Sequence, residues 1–327
     1  MRYRNSWFDA TVISRLQVAE NVLQIQIMPA SGTTKSFTVG SHIDVAILIN
    51  NEIEIRSYSL VGESTPNTPY TIAVKLLKSS KGGSKYMWSL EQGNKIKISQ
   101  PINNFELSFN TDDYFLIAAG IGITPLLGMV QTLVKKKGVN LKMLYCGKNK
   151  EEMPFIEDLA TLLGDNLILH LSDEEGRYNT SNLIDIANST TQIYLCGPLP
   201  FMNAVRKNWE EGPYENSNLR FETFGASGLF APQDFLVKIP RFDLELKVKK
   251  DQTILQAFQD AQVEVMYDCK KGECGLCQVD IIEYSGDIDH RDFFFSELEK
   301  GENKKMCVCV SRVANGNITI DTPYRGV

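Results

Sequence analysis

Hydrophobic and polar residues alternate along the first third of the chain. Residues 22–27 and 70–75 alternate, 42–49 form a run rich in β-branched residues, and 95–99 alternate again. Short strands of this kind, separated by turn residues, are typical of antiparallel barrels. The pattern predicts a closed antiparallel β-barrel over residues 1–109.

The pattern changes after residue 110. A continuous apolar run over 114–119 is followed by a glycine turn, a helical stretch through Val134 and a strand over 140–145. A second buried strand over 192–195 precedes a helix over 201–209. Alternating strands and helices predict a parallel sheet, and therefore an α/β domain over residues 110–226.

The last third begins after a stretch of small residues and proline, which predicts a linker over 227–233. Residues 234–240 and 242–248 alternate like the two strands of a hairpin, and 253–261 have a helical pattern. This order is typical of a β-grasp (α+β) domain over 234–327. The chain is thus predicted to be multidomain.

Three cysteines, Cys269, Cys274 and Cys277, have the spacing C-x4-C-x2-C, and a fourth thiol follows at Cys307 or Cys309. This spacing is typical of plant-type 2Fe–2S loops, in which four thiolates hold two irons. Structural zinc sites, the alternative, usually have two C-x2-C pairs. The sequence predicts a 2Fe–2S cluster.

The same region resembles the ferredoxin domain of the phthalate dioxygenase reductase and vanillate O-demethylase reductase family, with Asp289-His-Arg-Asp292 and Cys309-Val-Ser-Arg312 as the matching motifs. The resemblance extends over nearly the whole chain. It implies a flavin barrel, a nicotinamide domain and a C-terminal ferredoxin. The family's fourth ligand opens Cys-Val-Ser-Arg, so Cys309 is predicted over Cys307.

A tetrapeptide in the barrel, Arg56-Ser57-Tyr58-Ser59, suits a flavin. Alternation places Arg56 and Tyr58 on one face, where the guanidinium can bind a phosphate and the phenol can pack on the isoalloxazine ring. The turn at Gly82-Gly83-Ser84 can direct backbone N–H groups at the same phosphate. The resemblance implies FMN rather than FAD. The predicted flavin residues are Arg56, Ser57, Tyr58, Ser59, Val74, Lys75, Gly82, Gly83 and Ser84.

Two glycine motifs follow the predicted parallel strands. Gly120-Ile-Gly122-Ile-Thr124 ends one strand and begins a helix, whose N–H groups attract a pyrophosphate, although the usual third glycine is absent. Cys196-Gly197-Pro198 ends the other strand, and in the family this motif lies beside the nicotinamide and the flavin. Phe224 covers the flavin or packs in the core. Ser59 and Cys196 are the predicted catalytic residues, and the remaining nucleotide-site residues are Gly120, Gly122, Thr124, Gly197, Pro198 and Phe224.

The composition of the chain argues against several classes of function. A net charge of −6 without a basic tract argues against nucleic-acid binding. The absence of a signal peptide or of an apolar run approaching about 18 residues predicts a cytoplasmic protein that does not enter membranes. Residues 233–327 contain 13 Lys and Arg against 17 Asp and Glu, an excess of acid that suits either solubility or a docking face.

These sites together predict an enzyme that passes electrons from NADH through FMN to a 2Fe–2S cluster, because a flavin takes a hydride and releases electrons singly. The three histidines are far apart in sequence and provide no Rieske centre. Any oxygenase is therefore predicted to be a separate protein, and the family resemblance implies a Rieske-type oxygenase as the partner of a reductase that is monomeric when free.

Two other functions stay open from the sequence. One is a reductase for a diiron monooxygenase, although such reductases usually place the ferredoxin first. The other is an electron carrier loaded by another reductase. NADPH also stays open, because Lys148 and Lys150 could meet a 2′-phosphate, while the family implies NADH.

Overall fold

The computed structural model describes residues 7–49, 52–77, 82–188, 190–224, 230, 232–250 and 252–322. The chain divides into two compact units. The first comprises residues 1–197 and 204–222, and the second comprises 198–203 and 223–327.

The first unit begins with an antiparallel sheet. Its strands are β1 (Trp7–Ala19), β2 (Val22–Pro29), β3 (Ser41–Ile49), β4 (Glu52–Ser59), β5 (Tyr70–Lys75), β6 (Lys95–Ser99) and β7 (Ile102–Asn103). The order is β4-β3-β6-β1-β2-β5, with β7 paired to β3. The end strands β4 and β5 are linked by an isolated bridge between Leu60 and Ile72. The predicted antiparallel barrel is confirmed, and this bridge is where its two ends meet.

Alternation places one face of each strand in the barrel core. Ile25, Ile43, Val45 and Ile72 are all at most 1% exposed, as expected for the inward positions of a barrel. A short helix, α1 (Gly83–Ser89), follows the glycine turn and buries Met87. The sequence predicted only a turn here, because seven residues are too few to establish a helical period.

The same unit contains a parallel sheet, which confirms the predicted α/β domain. Its strands are β8 (Asp113–Ala119), β9 (Asn140–Gly147), β10 (Leu167–Leu171), β11 (Gln192–Cys196) and β12 (Leu219–Glu222), in the order β10-β9-β8-β11-β12. The helices are α2 (Ile123–Leu133), α3 (Ile156–Leu163), α4 (Ser172–Glu175) and α5 (Leu199–Glu211). The direction of progression reverses between β8 and β11, and a crevice beyond the strand ends at such a point binds ligands in open α/β sheets.

The second unit contains a five-stranded mixed sheet and a small two-stranded one. The strands are β13 (Phe235–Ile239), β14 (Leu244–Val248), β15 (Gln278–Tyr284), β16 (Asp287–Asp289), β17 (Lys305–Cys307), β18 (Arg312–Ala314) and β19 (Ile318–Asp321). The larger sheet has the order β14-β13-β19-β15-β17, and β16 pairs with β18. The helices are α6 (Ile254–Asp260) and α7 (Glu297–Glu302).

The helix α6 begins at a capping box formed by Thr253 and Gln256, which satisfies N–H groups of its first turn. Its buried residues Leu255 and Phe258 belong to the core that also contains Cys277, Cys307 and Cys309. The hairpin of β13 and β14 followed by α6 confirms the predicted β-grasp order.

Two further predictions concern the linker and membrane-spanning segments. Most of the predicted linker, residues 227–229 and 231, lies outside the described residues. Within the described part of the chain, no helix is long and apolar enough to cross a membrane.

Candidate functional site

The two glycine motifs meet at the carboxyl ends of β8 and β11. Gly120 has a φ of +55°, which favours glycine. A Cβ on Gly122 would lie 2.1 Å from the carbonyl oxygen of Cys196, and one on Gly197 would lie 2.8 Å from the Cβ of Ala119. The structure therefore brings the predicted nucleotide residues together, and glycine is required because the two backbones touch.

Two further residues of these motifs stabilise the local backbone. The Thr124 hydroxyl donates to the carbonyl oxygen of Ile121 (3.0 Å). The carbonyl oxygen of Pro198 accepts N–H groups from Phe201 (3.0 Å) and Met202 (3.1 Å) in the first turn of α5. Their direct contact with a nucleotide stays a prediction.

A buried pair joins the barrel to the parallel sheet within the first unit. The Ser59 hydroxyl at the end of β4 donates to Oε2 of Glu222 at the end of β12 (2.9 Å). The two residues are 5% and 3% exposed. Glu222 is also the register partner of Cys196 across β11 and β12. The two predicted catalytic residues, Ser59 and Cys196, thus share Glu222 as a neighbour.

Sequence reasoning missed Glu222. In the segment Phe221-Glu-Thr-Phe224, only the aromatic residue Phe224 was predicted to have a role. An acid beside an aromatic residue in a strand usually faces solvent. One feature could have indicated its role. Glu222 is an acidic residue at the end of the last parallel strand, at the edge of the sheet where ligands bind.

We expect Glu222→Gln to slow NADH-driven flavin reduction by about tenfold or more, since tenfold corresponds to ~1.4 kcal/mol and hydrogen bonds to charged groups contribute about 1.5–3 kcal/mol. Glutamine keeps an acceptor for Ser59 and removes only the charge. Stopped-flow absorbance measures the rate. Glu157→Gln, an exposed acid on α3, is the matched control, and equal rates in both variants would contradict a role for Glu222.

The flavin residues of β4 lie beside the glycine turn, as predicted. A Cβ on Gly83 would lie 3.1 Å from Nε of Arg56, so the glycine leaves room for the guanidinium. Arg56 also pairs with Glu54 and donates to the carbonyl oxygen of Ile55 (3.0 Å). Burial raises the pKa of Tyr58 to about 12, against the opposing effect of Arg56, so the phenol remains protonated. A cation, an aromatic ring and a glycine turn fit the phosphate end and the ring of a flavin, and their contact with one stays a prediction.

Three other predicted flavin side chains have protein partners in the structure. The Ser57 hydroxyl, on the strand face opposite Arg56, donates to Oδ1 of Asp44 (2.6 Å). The Lys75 ammonium donates to Oε2 of Glu152 (3.0 Å). The Ser84 hydroxyl accepts the N–H of Leu77 (3.2 Å).

The backbone at the remaining two flavin positions is also constrained. The carbonyl oxygen of Val74 accepts from the indole of Trp88 (2.9 Å). Gly82, at a φ of +112°, is the N-cap residue that precedes α1. The flavin contacts of these residues, and of Ser57, Lys75 and Ser84, stay predictions.

In the second unit, the segment before Phe224 contacts the thiol loop. The N–H and the hydroxyl of Thr223 both donate to Oε1 of Glu273 (2.8 and 2.7 Å), which lies between Cys269 and Cys274. Phe224 itself is 41% exposed, so it is not a core residue. Its role in covering a flavin stays a prediction.

The thiol loop wraps around Cys269. The N–H groups of Lys271, Glu273 and Cys274 all point at its Sγ, each at 3.4 Å. Burial raises the pKa of Cys269, and these donors act in the opposite direction. Converging N–H groups stabilise a negatively charged sulfur, which is the form that ligates iron.

Both glycines of the loop are required by its geometry. Gly272 has a φ of +76° and Gly275 a φ of +70°. A Cβ on Gly272 would lie 2.7 Å from Cγ2 of Val310, and one on Gly275 would lie 2.3 Å from the ring of Phe294. The loop is therefore compact for steric as well as conformational reasons.

The thiols form two groups, from which two pairs of ligands can be drawn. Cys274 contacts Cys269, whereas Cys277 contacts both Cys307 and Cys309, which lower its pKa. The described residues include no group of three or more His, Cys, Asp or Glu arranged to hold a single metal ion. Two irons shared by four thiolates require two pairs, and the pairs and the N–H donors fit such a cluster.

Cys307 and Cys309 differ in their surroundings. Cys307 ends β17, pairs with Gln278 and is fully buried. Cys309 lies beyond the strand. Contact with Cys277 raises its pKa most strongly, followed by burial. Cys269 and the N–H of Gly272 also lie near enough to act on this pKa. Cys309 thus approaches both the first and the third thiol of the loop. The choice of Cys309 as fourth ligand stays a prediction.

Comparison with known proteins matches three family models along the chain. An oxidoreductase FAD-binding domain matches residues 9–107, an oxidoreductase NAD-binding domain matches 116–207, and a 2Fe-2S iron-sulfur cluster binding domain matches 237–314. These matches confirm the predicted flavin, nicotinamide and iron–sulfur domains, and with them a flavin- and iron–sulfur-containing oxidoreductase.

Full-length relatives agree with the domain models. The chain is 30% identical over 317 residues to the phthalate 4,5-dioxygenase oxygenase reductase subunit of Pseudomonas putida, covering 95% of each chain. It is 30% identical to the vanillate O-demethylase oxidoreductase of a Pseudomonas species, covering 95% of this chain and 98% of that one. The solved structure of phthalate dioxygenase reductase, described as modular for electron transfer from pyridine nucleotides to [2Fe-2S], matches with a TM-score of 0.74 at 26% identity, covering 97% and 98%.

Proposed function

We propose, from the premise that the chain belongs to the phthalate dioxygenase reductase family, that it passes electrons from NADH through FMN and a 2Fe–2S cluster to a Rieske-type oxygenase. The observation that supports this most directly is the buried bond between Ser59 of the flavin strand and Glu222 of the nucleotide sheet (2.9 Å). It joins Ser59 to Glu222, the register partner of Cys196, which is the other predicted catalytic residue.

The residues of the crevice bind and orient the reactants in this proposal. The backbone contact between Gly122 and Cys196 leaves no side chain between the two motifs, so a nicotinamide can approach the flavin strand. Ser59 and Glu222 exclude water and hold a hydroxyl in one orientation. A bound flavin supplies the conversion of a two-electron hydride into single electrons.

The flavin is proposed to be FMN, although the matched family model is described by FAD. Arg56 next to Gly83 provides one cation for a single terminal phosphate, which a mononucleotide carries. FAD in the denatured extract of the purified protein would contradict this assignment.

Arg56→Ala should weaken flavin retention by about tenfold or more while leaving the cluster spectrum unchanged, because hydrogen bonds to charged groups contribute about 1.5–3 kcal/mol. Flavin fluorescence after dialysis measures the retention. Lys97→Ala removes an exposed cation from β6, whose side chain is 63% exposed, and should leave retention unchanged. Equal losses in both variants would rule out a specific phosphate contact.

The nicotinamide donor is proposed to be NADH. The exposed acids Asp173 and Glu174 follow β10 at the carboxyl edge of the sheet. The N–H of Asp173 donates to the carbonyl oxygen of Lys148 (3.0 Å). The side-chain amide of Asn149 donates to the carboxylate of Asp173 (3.4 Å). A 2′-phosphate near Lys148 would therefore meet an acid, and like charges repel. The ratio of kcat/KM for NADH and NADPH tests this choice.

The partner is proposed to be a Rieske-type oxygenase, and the protein to be a cytoplasmic monomer when free. Transfer to a Rieske centre is downhill, because plant-type clusters lie near about −400 mV and Rieske centres at about −150 mV or above. The acidic excess of residues 233–327 suits a basic docking face on the partner. A reducing compartment keeps the cluster thiols from forming disulfides.

Reconstitution tests the whole proposal. The purified protein is mixed anaerobically with NADH, and flavin and cluster bleaching are followed before an oxygenase is added. NADH-driven bleaching excludes a carrier that another reductase loads. Turnover with a Rieske oxygenase but not with a diiron hydroxylase supports the proposed partner, and the opposite preference would replace it.

A further inference from the structure

A buried carboxylate in the second unit lies beside the thiol loop. Asp292 is fully buried. Its Oδ1 accepts from the Ser311 hydroxyl (3.0 Å), and its Oδ2 accepts the N–H of Phe295 (3.0 Å). With a donor at each oxygen, the group is held as an acceptor, which favours the carboxylate over the acid.

Asp292 contacts both segments that carry the predicted ligands. A Cβ on Gly272, within the loop, would lie 2.8 Å from the Cα of Asp292. The next residue, Phe293, donates its N–H to the carbonyl oxygen of Gly272 (2.9 Å). On the other side, Ser311 is two residues beyond Cys309. One residue therefore connects the loop with the distal ligand segment.

The basic side chains that face Asp292 include His290 and Lys300. The Nδ1 atom of His290 lies 3.7 Å from Oδ1, and Lys300 acts from further away while it pairs with Glu297 (3.0 Å). Arg291, the adjacent cation, pairs with Asp289 instead.

The charge of Asp292 lies beside both segments that carry the thiols. Its carboxylate accepts from Ser311, two residues beyond Cys309, and its Cα faces Gly272, which lies between Cys269 and Cys274. A buried charge acts strongly on its neighbours because little water screens it. The reduction potential of an iron–sulfur cluster depends on nearby charge and on hydrogen bonding around its sulfurs.

We propose that Asp292 is a positioning residue for the iron–sulfur cluster, which fixes the Cys309 segment against the thiol loop and lowers the reduction potential through its buried negative charge. The inference rests on the thiol ligand set of the proposed function. It assigns a role to the last residue of Asp289-His-Arg-Asp292.

The test uses the full-length protein with both cofactors bound. Asp292→Asn keeps the size of the side chain and removes the charge, so the midpoint potential of the cluster, measured by dithionite titration followed by EPR, should rise. Asp287→Asn makes the same chemical change at an exposed position of β16 and should leave the potential unchanged. Equal potentials in the wild type and Asp292→Asn would overturn the proposal.

Ser311→Ala distinguishes the effect of the Asp292 charge on the potential from a general loosening of the structure around the thiols. This variant keeps the carboxylate and should hold the potential at or below the wild-type value, so an equal rise in Ser311→Ala and Asp292→Asn counts against the charge effect. If Asp292→Asn assembles no cluster, Ser311→Ala, which cuts the same connection from the other side, should lower the iron content. Normal iron content in Ser311→Ala would then overturn the positioning role.

The titration does not depend on NADH. A wild-type cluster that dithionite reduces and NADH does not would count against the proposed function alone. Ferricyanide reduction by NADH should be equal in all variants, because none of them alters the flavin or nucleotide residues.

Discussion

Cys309→Ser should abolish the visible absorption and the EPR signal of the 2Fe–2S cluster while leaving NADH-driven flavin reduction intact. Cys309 contacts Cys277 and lies near enough to Cys269 and the Gly272 N–H for both to act on its pKa, so it is placed to complete the second pair of thiols. Without a fourth thiolate, one iron loses a strong ligand. Iron and sulfide analysis of the purified variant, with its visible and EPR spectra, measures the loss.

Cys307→Ser is the matched control, because it makes the same change two residues away. Cys307 contacts Cys277 as well, but it lies within the β17 pairing to Gln278 and is fully buried in the core. Its spectra should stay largely unchanged. Loss of the cluster in Cys307→Ser, with retention in Cys309→Ser, would reverse the assignment and show that spacing outweighs the Cys-Val-Ser-Arg context.

Gly122→Ala should lower kcat/KM for NADH by roughly 10- to 100-fold, with the cluster spectrum unchanged. Its Cβ would lie 2.1 Å from the carbonyl oxygen of Cys196 and 2.5 Å from the carbonyl carbon, so the two strand ends must separate. Overpacking of this kind costs about 1–3 kcal/mol, and the displacement falls on the residues that position the nicotinamide. Ferricyanide reduction with varied NADH measures the effect.

A glycine that has room provides the control for this variant. A Cβ on Gly301 in α7 would have no atom within 4 Å, so Gly301→Ala should leave kcat/KM for NADH unchanged. Full NADH activity in Gly122→Ala would mean that the contact with Cys196 is not needed for nucleotide binding.

The sequence predicted the sheets well where one face of each strand is buried. β5 and β6 begin and end at the predicted residues, because alternation between core and solvent is a local property. The cluster loop was equally predictable from the sequence, because three of its thiols lie within nine residues.

Other features depend on contacts that a linear pattern does not contain. The Ser59–Glu222 pair joins residues 163 positions apart, so Glu222 resembled an ordinary surface acid. Lys75 and Ser57 lie on predicted flavin strands, yet their side chains bond to Glu152 and Asp44. Side-chain partners of this kind depend on how the sheets fold together rather than on strand propensity.

The bridge between Leu60 and Ile72 has a practical consequence for handling the protein. Six of the nine predicted flavin residues lie on β4 and β5, the two ends of the barrel order, so a bound flavin would stabilise the barrel where its two end strands meet. A ligand at 100 times its dissociation constant adds about 2.7 kcal/mol to the free energy of unfolding. Preparations that lose flavin on dilution or long dialysis therefore lose barrel stability as well, and exposed strand edges promote aggregation. We therefore expect free FMN in the storage buffer to reduce turbidity, which light scattering during storage measures.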